Sequence, residues 1–230
     1  MTAKRPKAPR GTSHPDTPAD SGSSLDGRKI PAAVIKRLSL YARALQELER
    51  QQAEKVSSSE LSRLLGFTSA QVRKDLAYFG QFGVPGFGYP VGDLRRNLRR
   101  ILGTDRELQV ALVGVGHLGT ALLSYGGFTR QGFRIVCAFD KEVSAPRIGA
   151  AGIPVYHIDE LEKRLAEHAI GFAILTVSSE AAQAVANRLI AAGISAILNF
   201  VPVRLQTPEH VKIHYVDLAL EMESLSFYTR

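Results

Sequence analysis

Apolar side chains fall into two regimes along the chain, one spaced at helical steps of three and four, the other gathered into short runs. The first regime opens with Pro31 in a first helical turn, after which Val34, Leu38, Tyr41, Leu45 and Leu48 predict one long amphipathic helix. Ser57-Ser-Ser-Glu60 has the form of a capping box, whose hydroxyl and carboxylate satisfy free N–H groups at a helix start. It predicts a second helix with Leu61, Leu64 and Leu65 as its apolar face and Gly66 as its end. Thr68-Ser-Ala-Gln71 offers another box, opening a third helix from Ser69 to Phe79 with Val72, Leu76 and Phe79 inward and Gly80 as its stop. Two short helices across a glycine-containing turn form the helix-turn-helix pattern. Glycine then alternates with aromatic and apolar residues from Gly80 to Tyr89, which predicts a tight β-hairpin, the wing. Asp93 is expected to cap a basic helix through Leu102, with Leu94, Leu98 and Ile101 inward and Arg95, Arg96, Arg99 and Arg100 outward.

From Glu107 the second regime takes over. Strands are predicted at Leu108–Val113, Phe133–Phe139, Val155–Tyr156, Gly171–Val177, Ser195–Phe200 and Val211–Val216, with helices after the first of them, from Asp159 to His168 and from Glu180 to Ala192. Short, nearly all-apolar strands alternating with helices are what a parallel sheet covered on both faces requires. The expected fold is therefore α/β: an N-terminal winged helix-turn-helix domain followed by a doubly wound parallel-sheet Rossmann domain. An amphipathic segment from Leu218 to Tyr228 closes the chain, and its Leu218, Leu220, Met222, Leu225 and Phe227 are too many apolar residues for an exposed helix. The expected divisions are a disordered basic tail over 1–29, a DNA-binding domain over 30–103, the Rossmann domain over 104–216 and a C-terminal dimerisation helix over 217–230.

Composition adds a sign to this picture. The net charge is +7 and the pI about 9.7, which suits an anionic partner such as nucleic acid. The tail carries Lys4, Arg5, Lys7 and Arg10 among Pro, Ser, Gly and Asp, with too little apolar material to order itself. No apolar run approaches about 18 residues and the start lacks a hydrophobic leader, so a soluble, cytoplasmic protein with no membrane partner is expected. The single cysteine, Cys137, excludes an intrachain disulfide and a cysteine-built zinc site, and its place in the apolar run 134–139 predicts a buried strand residue.

Two constellations carry chemistry. Gly114-Val-Gly116-His-Leu-Gly119 directly follows a predicted strand and opens a predicted helix, the context in which this fingerprint holds a dinucleotide pyrophosphate. His117 reads as a first-turn helix residue, and it is counted with Leu118 among the cofactor-binding positions. The next strand ends in Asp140, about 20 residues beyond the last glycine, where a carboxylate accepts from ribose hydroxyls and repels a ribose phosphate; this favours NAD(H) over NADP(H). The second constellation is the third helix, with Ser69 at its start and Gln71, Arg73, Lys74 and Tyr78 on its polar side. Arginine or lysine suits guanine in the major groove and glutamine suits adenine.

The sequence resembles the Rex family of redox-sensing transcriptional repressors from about Lys29 onward, in the stretches "SSSELSRLLGFTSAQVRKDLAYFGQFGVPGFGYPV", "ALVGVGHLGTALLSY", "AFD", "AILTV", "AAGISAILNFVPVRL" and "HYVDLALEMESLSF". The resemblance implies a homodimer that binds operator DNA when NAD+ predominates and releases it when NADH rises. By position it implies pyrophosphate binding by Gly114, Gly116 and Gly119, and ribose binding by Asp140. It places Tyr125 beside the nicotinamide and adds Thr176, Val177, Asn199 and Asp217 to the cofactor set. It also implies a charge contact between Asp217 and Arg37 as the switch, and exchange of the last helix between subunits. Two departures stand out: Val84-Pro85 occupies the wing tip where the family usually has Arg or Lys, and Ser178 follows "LTV" where proline is usual.

The rival class is a small dehydrogenase. The chain has no Tyr-x-x-x-Lys pair, no His–Asp arrangement suited to proton transfer and no separate substrate domain, so a non-enzyme is expected. A third reading keeps both domains and makes the ligand another nucleotide such as coenzyme A; Asp140 favours a free ribose diol instead.

Overall fold

The computed structural model describes residues 30–84, 86–168 and 170–229. The tail expected over 1–29 and the wing-tip residue Pro85 lie outside the described residues. The chain divides into two compact units, one running to Arg95 and the other beginning at Arg96.

In the first unit, α1 (Ala32–Arg50) buries Val34, Leu38, Tyr41 and Leu45, the expected stripe, while Pro31 stands just outside the helix as its N-cap. α2 (Ser58–Leu65) starts at a complete capping box: Ser57 Oγ accepts from the Glu60 N–H at 3.1 Å and the Glu60 carboxylate accepts from the Ser57 N–H at 2.7 Å. It stops at Gly66, whose φ of +71° is the left-handed conformation that costs glycine nothing. Of its predicted apolar face only Leu61 is fully buried, and Leu64 is exposed. α3 (Ser69–Ala77) has half of its expected box. Thr68 Oγ1 accepts from the Gln71 N–H, but the Gln71 side chain turns away to Asp75.

The wing is slighter than expected. Its sheet consists of β1 (Lys55–Val56), which precedes α2, paired antiparallel with β2 (Tyr89–Pro90), and the described residues of 80–88 contribute an isolated bridge between Val84 and Gly88. Gly88 has no room for a side chain, since a Cβ there would lie 2.7 Å from the Val56 carbonyl oxygen. α4 (Val91–Ile101) begins two residues before Asp93, which therefore sits in the first turn and is not the cap.

The second unit is a seven-stranded sheet in the order β5-β6-β4-β3-β7-β8-β9. Its strands are β3 (Leu108–Val113), β4 (Phe133–Asp140), β5 (Arg147–Ile148), β6 (Pro154–His157), β7 (Phe172–Leu175), β8 (Ala196–Asn199) and β9 (Lys212–Tyr215). All pairings are parallel except β5 with β6. The six parallel strands give the doubly wound order, and the chain reverses its direction of travel between β4 and β7 on either side of β3. β3 explains why its strand reads as a continuous apolar run. Val110 and Leu112 belong to one core with Leu123 of α5 (His117–Leu123). Ala111 and Val113 belong to the other, with Leu161 and Leu165 of α7 (Leu161–His168) and Val185 and Leu189 of α8 (Ser179–Ala191). A short α6 (Gly127–Arg130) and the edge strand β5 were not foreseen. Cys137 is fully buried on β4, and burial pushes its thiol up to about 12, which leaves it protonated and inert. α9 (Leu218–Ser226) follows β9, and no helix among the described residues is long and apolar enough to cross a membrane.

Candidate cofactor cleft and nucleic-acid interface

The fingerprint turn lies where β3 ends, between the carboxyl ends of β4 and β7. Gly114, at φ +98°, has its N–H donating to the Phe139 carbonyl at 2.8 Å, and a Cβ on it would lie 2.6 Å from the Thr176 carbonyl oxygen. A Cβ on Gly119 would lie 2.0 Å from the Gly114 carbonyl oxygen. These two glycines are thus demanded by the protein's own packing. Gly116 is different: its φ of −72° suits any residue and a Cβ there would meet nothing within 4 Å. The space it leaves faces outward, where a pyrophosphate approaches a fingerprint turn.

Thr176 holds the turn from the β7 side. Its N–H donates to the Val113 carbonyl at 2.9 Å and its hydroxyl to the Gly114 carbonyl at 2.7 Å. Asp140 holds it from the β4 side, its Oδ2 accepting from the Val115 N–H at 2.5 Å and its Oδ1 from the Glu142 N–H at 2.9 Å. Each oxygen keeps a further lone pair for a ligand hydroxyl. The resulting cleft, about 450 Å³, is lined by Gly114, Gly116, Asp140, Thr176 and Val177 with an apolar wall of Val113, Phe139, Ile158, Ala181 and Val185. Arg188 at its margin is engaged bidentately with Glu162 at 2.6 and 2.7 Å.

The donor set and shape fit a dinucleotide: a carboxylate for a ribose diol, a glycine turn for the pyrophosphate and an apolar wall for a base. His117 and Leu118 sit in the first turn of α5, as expected. Neither these two nor Gly119 lines the cleft itself, and three further expected members, Asn199, Tyr125 and Asp217, do not line it either. Asn199 is fully buried and spends its amide on the following loop, donating to the Val201 carbonyl at 3.0 Å and accepting from the Val201 N–H at 2.9 Å. Tyr125 stacks edge-on against Phe128 and lines a second cavity with Ser124, Gly126 and Arg134. Asp217 caps α9, its Oδ1 accepting from the Ala219 and Leu220 N–H groups at 3.0 and 3.1 Å.

On the first unit, Arg73 and Lys74 are exposed on α3, and Arg73 donates to the Ser58 hydroxyl at 3.0 Å. Ser69 and Tyr78 are half-buried at the two ends of the helix. Val84 and Phe87 stand exposed in the wing, with the Lys55 ammonium 5.9 Å from the Phe87 ring centre. Among the expected outward arginines of α4, Arg95 pairs with Glu49 and Arg99 donates to the Thr104 carbonyl.

A tightly held group of this unit lies outside the residues singled out from the sequence. Asp75 of α3 is completely buried and takes hydrogen bonds from Arg37, Tyr41 and Gln71. Burial alone would raise its pKa, but these donors outweigh burial and hold the carboxyl below its usual range. Arg37 is raised in turn, chiefly by its hydrogen bonds to Asp75, and Tyr41 is pushed up by burial and by Asp75. Arg37, expected to pair with Asp217 as a switch, is held here by Asp75 of its own unit. Releasing it would strand a buried carboxylate, a change that costs about 3–5 kcal/mol. The signal was in the sequence: Arg37 and Asp75 each sit one position before a core leucine, Leu38 and Leu76, so opposite charges lie inside two apolar stripes.

Comparison with known proteins agrees with both halves. Residues 29–77 match the family described as "Putative DNA-binding protein N-terminus", and residues 105–203 the "CoA binding domain" family. The redox-sensing transcriptional repressor Rex of Geobacillus kaustophilus is 46% identical over 202 residues, 88% of this chain and 94% of the relative. That of Bacillus subtilis is 43% identical over 205 residues, 89% and 94% of the two chains. Among solved structures, the repressor RSP in complex with β-NAD+ and operator DNA superposes with a TM-score of 0.82 at 36% identity, covering 88% of this chain and 93% of the other. The same repressor in complex with β-NADH gives 0.77 at 34% identity, covering 88% and 95%.

Proposed function

Because the chain belongs to the Rex family of redox-sensing transcriptional repressors, we propose that it represses transcription by binding operator DNA when NAD+ predominates and leaves the operator on binding NADH. The observation that carries this is the pairing of a cleft whose Gly116 leaves open space beside Asp140 with a helix-turn-helix that exposes Arg73 and Lys74. A dehydrogenase needs the first half only.

Gly114, Gly116 and Gly119, with the first-turn residues His117 and Leu118, hold the pyrophosphate. Asp140 takes the adenosine ribose diol, and Thr176 and Val177 floor the cleft. The name of the matching family raises coenzyme A as the ligand, but coenzyme A carries a phosphate on its adenosine ribose. Asp140 would repel it, which favours NAD(H). When bound, the cofactor supplies a nicotinamide whose ring charge differs between its two redox forms. Tyr125 and Asp217 are the residues proposed to sense that difference, and Asn199 acts by shaping the loop after β8. A ligand shifts a two-state equilibrium only through differential affinity, so these groups must meet the ring in one state more favourably than in the other.

In the division of labour we propose, residues 30–103 form the DNA-binding domain, 104–216 the cofactor domain and 217–230 a dimerisation segment. α9 supports the last, since Leu218, Leu220, Met222 and Leu225 are each about 60% exposed or more in the single chain. A second copy covering this face would make the operator-bound form a homodimer, matching two half-sites. The experiment is a double substitution, Arg73→Ala with Lys74→Ala. Specific operator binding is expected to be lost, each good base contact being worth about 1–3 kcal/mol, while NADH binding survives. Unchanged operator affinity would overturn the assignment of α3.

A further inference from the structure

Four donors converge on the buried Asp75 carboxylate. Arg37 Nε lies 2.6 Å from Oδ2 and its Nη2 2.8 Å from Oδ1; the Tyr41 hydroxyl lies 2.7 Å from Oδ2 and Gln71 Nε2 2.7 Å from Oδ1. Two donors at each oxygen use all four lone-pair sites of the carboxylate, which when ionised is an acceptor only. The primary amide of Gln71 has nearly the same shape with its oxygen and nitrogen exchanged. Exchanged here, Oε1 would stand 2.7 Å from a carboxylate oxygen, lone pair against lone pair, at a site from which burial has removed screening water. The amide therefore faces one way: nitrogen inward to Asp75, carbonyl oxygen outward. Gln71 is half-buried in the first turn of α3, where Thr68 caps its N–H. First-turn side chains of a recognition helix are those that reach base edges.

We propose that Asp75 acts as a positioning residue that fixes the Gln71 amide, so that the first turn of α3 offers the major groove a carbonyl acceptor and selects a base-pair edge bearing an exocyclic amino group, adenine N6 or cytosine N4. This rests on the reading of α3 as the recognition helix. A free glutamine turns over to suit either a donor or an acceptor and so discriminates little. A fixed one spends one Nε2 hydrogen on Asp75 and keeps its oxygen outward beside the other, so a base edge that sets guanine O6 or thymine O4 against that oxygen is rejected. Arg37 and Tyr41 belong to the same device, since without them the Asp75 oxygens would hold the amide less firmly.

The test selects operators from a randomised library with the full-length protein and with Gln71→Ala. It then measures binding by fluorescence anisotropy on operators in which one base lacks its amino group, purine in place of adenine or pyrimidinone in place of cytosine. The selection should show one position at which Gln71→Ala loses the preference of the unaltered protein. At that position, removing the amino group should weaken the unaltered protein about 5- to 150-fold and Gln71→Ala less than about 2-fold. The analogue that produces the loss tells adenine from cytosine. Asp75→Asn, whose own amide can face Gln71 with either end, should broaden the preference at that position alone. The proposal is overturned if Gln71→Ala keeps every preference, or if the unaltered protein tolerates removal of the amino group. Either result with binding still abolished by Arg73→Ala and Lys74→Ala leaves α3 in the groove and removes only Gln71. Operator binding that survives that double substitution overturns the reading of α3 itself.

Discussion

Replacing Arg37 with methionine removes the guanidinium and keeps most of the aliphatic stem, so the packing of α1 changes little while Asp75 loses two of its four hydrogen bonds. Breaking a buried ion pair by deleting one partner costs about 3–5 kcal/mol, because the remaining charge stays desolvated. The Arg37 side chain is 21% exposed, so water partly refills the space it leaves, and the lower end, about 3 kcal/mol, is expected. Hydrogen–deuterium exchange of the full chain reads this locally, with peptides from β3 and β7 as the internal reference. At about 1.4 kcal/mol per factor of ten, globally protected amides of α1 and α3 should exchange roughly 100-fold faster. A double variant, Arg37→Met with Asp75→Leu, should recover much of the loss, since an apolar pair leaves no stranded charge. The pH dependence has a definite sign. The Asp75 carboxyl is held below its ordinary value in the folded state, so its contribution is complete above the unfolded pKa of about 3.9 and fades as pH falls through the lower folded value. The difference between wild type and Arg37→Met should shrink over that acid range. Unaltered exchange in α1 and α3 of Arg37→Met at neutral pH would show that the Arg37–Asp75 pair does not hold these helices together.

Three other outcomes follow from the cleft and the last helix. Gly116→Ala should leave the melting temperature unchanged, because its Cβ meets no protein atom, yet weaken NADH in calorimetry; Gly119→Ala, clashing with the Gly114 carbonyl, should lower both, and a Gly116→Ala protein with normal NADH affinity would show that the pyrophosphate lies elsewhere. Asp140→Ala should weaken NADH and improve NADPH relative to it, and a wild type that prefers NADPH would contradict the ribose assignment. Truncation after Val216 removes the exposed apolar face of α9 and should give monomers or aggregates in light scattering, whereas a well-behaved truncated dimer would refute exchange of that helix.

The elements legible in the sequence were those whose cause is local. β3 coincides with its apolar run, and the Ser57–Glu60 box and Gly66 bound α2 as predicted, because capping and glycine chemistry act within a few residues. β5 and α6, at two and four residues, are too short to show a period. The wing sheet escaped for a different reason: β2 pairs with β1, 33 residues earlier at the Val56–Tyr89 register, and nothing near Tyr89 in the sequence names that partner.

The site divides along the same line. The glycines, Asp140 and Thr176 meet because successive strands of a doubly wound sheet end side by side, a consequence of topology that the fingerprint signals. Asn199 has a polar side chain at a strand end and so resembles a ligand-binding residue, yet its amide closes the next turn. Asp75 was hidden because a charged residue amid Arg73, Lys74 and Tyr78 reads as part of a solvated face. Only its spacing from Val72 and Leu76 places it on the inner arc.

In the function proposed, one chain couples the redox state of a nicotinamide to its hold on DNA. The direct measurement holds total NAD(H) fixed, varies the NADH fraction, and follows anisotropy of a labelled operator bound by the full-length protein. Tight binding is expected with NAD+ alone, falling steeply as the NADH fraction rises, with no such fall for a Gly116→Ala protein that binds NADH poorly. Operator affinity that stays constant from pure NAD+ to pure NADH, in a wild-type protein shown by calorimetry to bind both, would contradict it.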